Sequence, residues 1–222
     1  MRTIIQPVKR RVDPKGIERL IDELPEEFYI FTSSQYSYIL KRIIGILEQH
    51  GRKVFLYKPK HSSKEGVITG CAIEKLDKPA IVISDGLFHG EALLLAGNNV
   101  VVINPISWSI TKINKEKIER IHRHIEAMKK KLLEAREIGI IISLKPGQNW
   151  VKLGEEIEKK LREKGKNTYL FITNNIDLDR LIDYNFIDIW INTACPRIID
   201  DAVERGINLI NLKDVTSVID HA

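Results

Sequence analysis

The chain has 222 residues, 43% hydrophobic and 29% charged, which suits one large or two small globular domains and excludes a disordered chain. Lys and Arg total 35 against 30 Asp and Glu, a formal charge of +5 spread through helices that carry both signs, so charge gives no ground for direct nucleic-acid binding. No apolar run approaches the roughly 20 residues of a membrane span, and the opening "MRTIIQPVKRRVDPKG" is too charged and broken for a secretory signal; a cytoplasmic protein is expected.

From residue 28 the pattern alternates between strand and amphipathic helix. "FYIFTSS" is an apolar strand ending on hydroxyl residues, with Ser33 or Ser34 suited to cap the next helix. In "QYSYILKRIIGILEQHG", Ile39, Ile43, Ile44 and Leu47 recur at helical spacing, and Gly51 supplies a stop. "KVFLYK" and "GVITGC" are expected as short strands. "PAIVISDG" is the continuous apolar run of a strand covered on both faces. "HGEALLLAG" is a short helix and "NVVVINP" a further buried strand. One long charged helix is expected from Lys115 to about Glu137, with His122 and His124 on its solvated face.

The alternation then restarts. "IGIIISLKPGQ", "NTYLFIT", "IDIWINTACP" and "INLINL" are strands. "WVKLGEEIEKKLREKG", "DLDRLIDYN" and "RIIDDAVERG" are the helices between them. This order predicts an α/β fold built of two similar Rossmann-like or flavodoxin-like units with parallel sheets. The expected divisions are an arm over residues 1–27, a first unit over 28–114, a connecting helix over 115–135 and a second unit over 136–222.

Motif searches by spacing find little. GxGxxG, GxxxxGK[ST], GxSxG and HExxH are all absent. "SDGLFHG" offers at most an anion site on backbone amides, and it brings Asp85, His89 and Glu91 to one strand end. The two cysteines, Cys71 and Cys195, lie too far apart to read as a local CxxC metal signature, and their default role is that of small buried hydrophobes. Each nevertheless ends a predicted strand in its own half, the edge where open α/β sheets bind ligands. If both are thiolates facing one cleft, such soft donors favour zinc or an iron–sulfur centre.

Taken in order, "SSQYSYILKRIIGILEQHGRKV", "VITGCAIEK", "ISDGLFHGEALLLAGNNVVVINPISW", "SLKPGQ" and "INTACPRIIDDA" resemble the diphthamide synthase family over about residues 28–215. The resemblance implies three similar α/β domains, each giving one cysteine to a [4Fe–4S] cluster that engages S-adenosylmethionine. Reductive cleavage of the sulfonium then yields a 3-amino-3-carboxypropyl radical, which adds to a histidine of elongation factor 2 in the first step of diphthamide synthesis. Carried over to this chain, Cys71 and Cys195 match the metal ligands of the middle and third domains. Residues 1–27 are too short to stand for a first domain with its cysteine, so one chain supplies two thiolates of three.

Strand-end position and the resemblance together nominate Gln35, Asp85, His89, Gln148, Arg197, Asp200 and Asp201 for binding the cosubstrate. Arg197 is the natural partner for its carboxylate, because a guanidinium fork matches that group bidentately. Three functions are left open: a short catalytic paralogue or subunit, a noncatalytic partner in a complex, and an unrelated small-molecule-binding module. The first two imply a homodimer or a complex with a larger homologue.

Overall fold

The structure, a computed structural model, describes residues 8–60, 62, 64–70, 74–145 and 148–219. The chain divides into two compact units between Ile118 and Glu119.

The first unit holds a five-stranded sheet of β1 (Glu27–Thr32), β2 (Lys53–Phe55), β3 (Ala80–Ile83), β4 (Val100–Asn104) and β5 (Ser109–Thr111). Its order is β2-β1-β3-β4-β5, with the first four strands parallel and β5 antiparallel to β4. All four residues of β3 are buried, as an apolar run between two covered faces requires. One face packs Phe28, Ile30, Ile81, Ile83 and Ile103 against Ile43 and Leu47 of α1 (Leu40–Gln49). The other gathers Phe31, Val82 and Val102 with Leu93 of α2 (Phe88–Leu95).

Several elements differ from the sequence expectation. Pro14–Glu23, expected as part of an arm, forms a 3-10 helix capped by the Asp13 carboxylate, which accepts from the Lys15 amide at 3.1 Å. Its Ile17, Leu20 and Ile21, with Leu24, join the α1 face of the core. The helix expected from Gln35 opens instead as a 3-10 turn over Ser34–Ile39, and Ser33 occupies its N-cap without a side-chain cap bond. Within "GVITGC" the described residues 66–70 form no named strand; Val67 makes a parallel bridge to Thr32. The three-residue β5 and the antiparallel edge it makes were not expected.

The second unit holds a parallel sheet of β6 (Glu137–Ser143), β7 (Asn167–Thr173), β8 (Ile189–Asn192) and β9 (Leu209–Asn211), in the order β7-β6-β8-β9. Around it lie α4 (Val151–Glu163), α5 (Ile198–Arg205), α6 (Leu212–Ile219) and most of α3 (Lys115–Glu134). "DLDRLIDYN" is a 3-10 turn over Asp179–Asp183 rather than an α-helix. Helix α6 had no counterpart in the sequence reading. His124 is half-buried, with Nε2 2.9 Å from the Leu209 carbonyl of β9, so only His122 keeps the solvated position expected for both.

Leaving β5 aside, the two sheets share one strand order. In each, the direction of winding reverses at the pair formed by the first and third strands, β1 with β3 and β6 with β8. The crevice outside the carboxyl ends of such a pair is where open α/β sheets bind ligands.

Candidate functional site

At the first reversal point, a backbone bond from Ser33 N to Ile83 O (3.2 Å) ties the loop after β1 to the end of β3, and one from Ser84 N to Ile103 O (3.0 Å) ties the loop after β3 to β4. This register brings two of the nominated residues into contact: Gln35 Nε2 donates to Asp85 Oδ1 at 2.9 Å. The other Asp85 oxygen faces Arg10 Nη1 at 3.4 Å. Tyr36 is fully buried beside them, and that burial, followed by the adjacent Asp85 carboxylate, raises its phenol pKa. Gln35 and Asp85 thus belong to one polar cluster with an N-terminal arginine that sequence reasoning had not placed there.

His89 sits in the first turn of α2, half-buried, its ring edge-on to Phe88 at 5.3 Å. Glu91, two residues on, is buried and faces Lys117 Nζ at 3.4 Å, which makes it a partner in an ion pair within the unit. A Cβ on Gly70 would meet the ring of Phe88, an exposed side chain that would have to turn away, so glycine lets this segment pass close to α2 as it stands. Cys71, the next residue, lies outside the described residues.

At the second reversal point, the β8–α5 loop carries Cys195 and Arg197, with Asp200 and Asp201 in the first helical turn. Cys195 is half-buried. Its carbonyl accepts from the Ile198 amide at 3.1 Å, which sets the cysteine at the helix entrance. The Arg197 guanidinium and the Asp200 carboxylate form an ion pair, and both residues are more than nine-tenths buried. Asp201, one position round the helix, is exposed and stands apart from the pair. Gln148 follows β6 on the other side of the reversal, half-buried, its amide bonded to the Lys145 carbonyl at 2.9 Å. Nearby, a cleft of about 450 Å³ at the end of β7 is lined by Ile141, Phe171, Thr173, Asn175 and Tyr184, none of them nominated from sequence.

Two residues missed by the sequence reading hold the cysteine loop. Asn192 and Asn211 are register partners on β8 and β9, and both are nearly fully buried. Asn192 Nδ2 donates to Cys195 O at 2.9 Å and to Asn211 Oδ1 at 2.8 Å, while its Oδ1 accepts from Ala194 N at 3.0 Å. Asn211 Nδ2 donates to Pro196 O at 3.0 Å. Thr193 adds a hydroxyl bond to Ile141 O at 2.9 Å. The one signal in the sequence was an amide side chain at each of two strand ends, "IN" before "TACP" and "IN" before "LKD".

Among the described residues, no group of three or more His, Cys, Asp or Glu side chains could hold a metal ion. Of the two cysteines only Cys195 lies among the described residues, so the fit to a [4Fe–4S] cluster rests there on one thiol. Cys195 is suited to be one ligand, being half-buried at a helix entrance on a loop fixed from beneath. The 222 residues contain two cysteines, fewer than the four thiolates that such clusters generally take. No helix among the described residues is long and apolar enough to cross a membrane.

Comparison with known proteins assigns this arrangement a family. The model of the diphthamide synthesis protein family matches residues 3–205. A 2-(3-amino-3-carboxypropyl)histidine synthase of Methanocaldococcus jannaschii is 31% identical over 189 residues, covering 78% of this chain and 54% of that protein. The synthase of the same name from Pyrococcus horikoshii is 28% identical over 187 residues, covering 82% of this chain and 54% of its own length. The chain therefore spans about half the length of the curated relatives it matches. The crystal structure of Dph2 from Pyrococcus horikoshii with a 4Fe–4S cluster superposes with a TM-score of 0.80 at 24% identity, covering 96% of this chain and 64% of that one. At that identity the superposition establishes the α/β fold.

Proposed function

Because the chain belongs to the diphthamide synthesis protein family, we propose that it works in the first step of diphthamide formation, the transfer of a 3-amino-3-carboxypropyl group from S-adenosylmethionine to a histidine of elongation factor 2. On this reading Cys71 and Cys195 are ligands of a [4Fe–4S] cluster whose remaining ligands come from outside these 222 residues. Its place of work is the cytoplasm, where elongation factor 2 acts. The observation that carries the proposal is Cys195 itself: a half-buried thiol at the carboxyl edge of a parallel sheet, at the winding reversal, on a loop fixed by buried amides.

When bound, the cluster supplies the electron for reductive cleavage of S-adenosylmethionine. The chain's own residues bind and orient. Gln35 and Asp85 present a polar pair at one sheet edge, with His89 in the first turn of α2. At the other edge, Gln148, Arg197 and Asp200 supply donors and a carboxylate, while the exposed Asp201 serves the surface. Because Arg197 already faces Asp200, a cosubstrate carboxylate would share the guanidinium rather than meet an empty fork.

The test is transfer of label from carboxyl-labelled S-adenosylmethionine to elongation factor 2 under anaerobic reducing conditions, with the chain alone and with a larger homologue added. Label incorporated by the chain alone supports the catalytic reading. Label that needs both proteins, and disappears when this chain is left out, supports a subunit. No dependence on this chain in either arrangement would overturn the proposal.

A further inference from the structure

The loop that carries Cys195 is short, polar in its backbone and set on two asparagines, of which Asn211 also hydrogen-bonds the Asp214 carboxylate of α6. Their amide atoms are heavily committed. Asn192 spends one N–H on the Cys195 carbonyl, the second on Asn211 Oδ1, and its oxygen on the Ala194 amide. Asn211 accepts that bond and donates to the Pro196 carbonyl. Three consecutive residues, Ala194 to Pro196, are thereby pinned by a pair of amides that bridge adjacent strands in register.

The partners fix the orientation of both amides. Turning Asn192 over would set its oxygen against the Cys195 carbonyl and its NH2 against the Ala194 N–H, two repulsive contacts in a buried place. Apolar side chains at the same two positions would complete the sheet core equally well but would leave the loop's backbone groups without those partners. Buried amides that together hold three backbone groups of one loop mark a requirement for that loop's geometry.

We propose that Asn192 and Asn211 are positioning residues which preset the Cys195 loop, so that the thiol is held in its ligating place before any metal arrives. The inference rests on the reading of Cys195 as a cluster ligand and adds to it the device that orients the ligand. Preorganised donors bind more tightly because their ordering cost is met on folding.

The test uses the full chain, metal-free, in a Cys71→Ser background, so that Cys195 is the one thiol present. Its alkylation by iodoacetamide under native conditions is followed by intact mass. A half-buried thiol on a pinned loop reacts faster when the loop is released. Asn192→Ala and Asn211→Ala should therefore accelerate the reaction by about tenfold or more, as expected for the loss of two or three hydrogen bonds. Asn192→Asp keeps the size and the acceptor for Ala194, loses both donors, and should accelerate it as well; it serves if the alanine variant does not fold. Ile189→Val, a methylene deletion in the buried part of the same strand, should lower thermal stability and leave the rate at the parental value. Parental rates in the asparagine variants, or equal acceleration by Ile189→Val, would overturn the assignment.

Iron uptake by the chain with Cys71 intact, measured separately after anaerobic reconstitution, keeps the two ideas apart. Iron bound without any effect of the asparagines on alkylation rejects the positioning role alone. Accelerated alkylation in a chain that takes up no iron rejects the ligand reading alone.

Discussion

Asp200→Asn distinguishes a structural Arg197 from one held ready for a ligand. The substitution preserves size and removes the negative charge from a pair in which Arg197 is 9% and Asp200 8% exposed. A buried ion pair that loses one partner leaves the other charge desolvated and uncompensated, at a cost of about 3–5 kcal/mol. For a chain of this length each kcal/mol lowers Tm by roughly 2–4 °C, so the expected fall is roughly 6–20 °C. Asp201→Asn, one residue on and exposed, is the internal control and should stay within about 0.5 kcal/mol of the parent. Thermal melts followed by circular dichroism and by tryptophan fluorescence make the measurement, the second probe being needed because two compact units need not unfold together. If Asp200→Asn melts within a degree of the parent, Asp200 does not hold Arg197, and the guanidinium is available to a cosubstrate carboxylate after all.

Three further outcomes are expected from the same geometry. Burial is the main cause of the raised Asp214 pKa, opposed by Lys213 and by a hydrogen bond from Asn211. A pKa raised above the unfolded value of 3.8 gives stability that is present below that value and lost as pH rises through the folded one. Asp214→Asn should accordingly raise Tm at pH 7 and leave it unchanged near pH 3, as a pair of calorimetric scans would show. Gly139→Ala places a methyl against the Trp190 ring in the parallel β6–β8 pair; urea unfolding should report a loss of about 1–3 kcal/mol. Gln35→Ala removes one hydrogen bond from Asp85 and should cost about 0.5–1.5 kcal/mol; if the proposed function holds, it should also weaken S-adenosylmethionine binding in calorimetric titration.

The parallel sheets were legible because their central strands are continuous apolar runs: "AIVI" of β3 and most of "EIGIIIS" of β6 carry no alternation to misread. What escaped was short or non-local. Strand β5 has three residues, and its sole cue is pairing with β4. "GVITGC" has strand composition, but Gly66 takes a positive φ, and among its described residues Val67 alone bridges, to Thr32. The helical spacing of Ile17, Leu20, Ile21 and Leu24 went unread in a stretch expected to be part of an arm, and these residues form a buried face.

Site residues divide in the same way. Gln35 and Asp85 could be placed at neighbouring strand ends from the βα alternation, although their mutual hydrogen bond and Arg10 required three dimensions. The pair "DD" offered no means of choosing between its members. Helical phase turns Asp200 towards Arg197 and leaves Asp201 in solvent. Asn192 and Asn211 were invisible as a unit because their contact depends on the register of two strands, across 19 residues of sequence.

The most direct measurement is the iron and acid-labile sulfide content of the chain after anaerobic purification and reconstitution, alone and with a larger homologue, for the parent and for Cys71→Ala and Cys195→Ala. The proposed function predicts brown protein with iron and sulfide in equal amounts, and loss of both when either cysteine is replaced. Iron content that is negligible in every mixture, or unchanged by replacing Cys195, would contradict it.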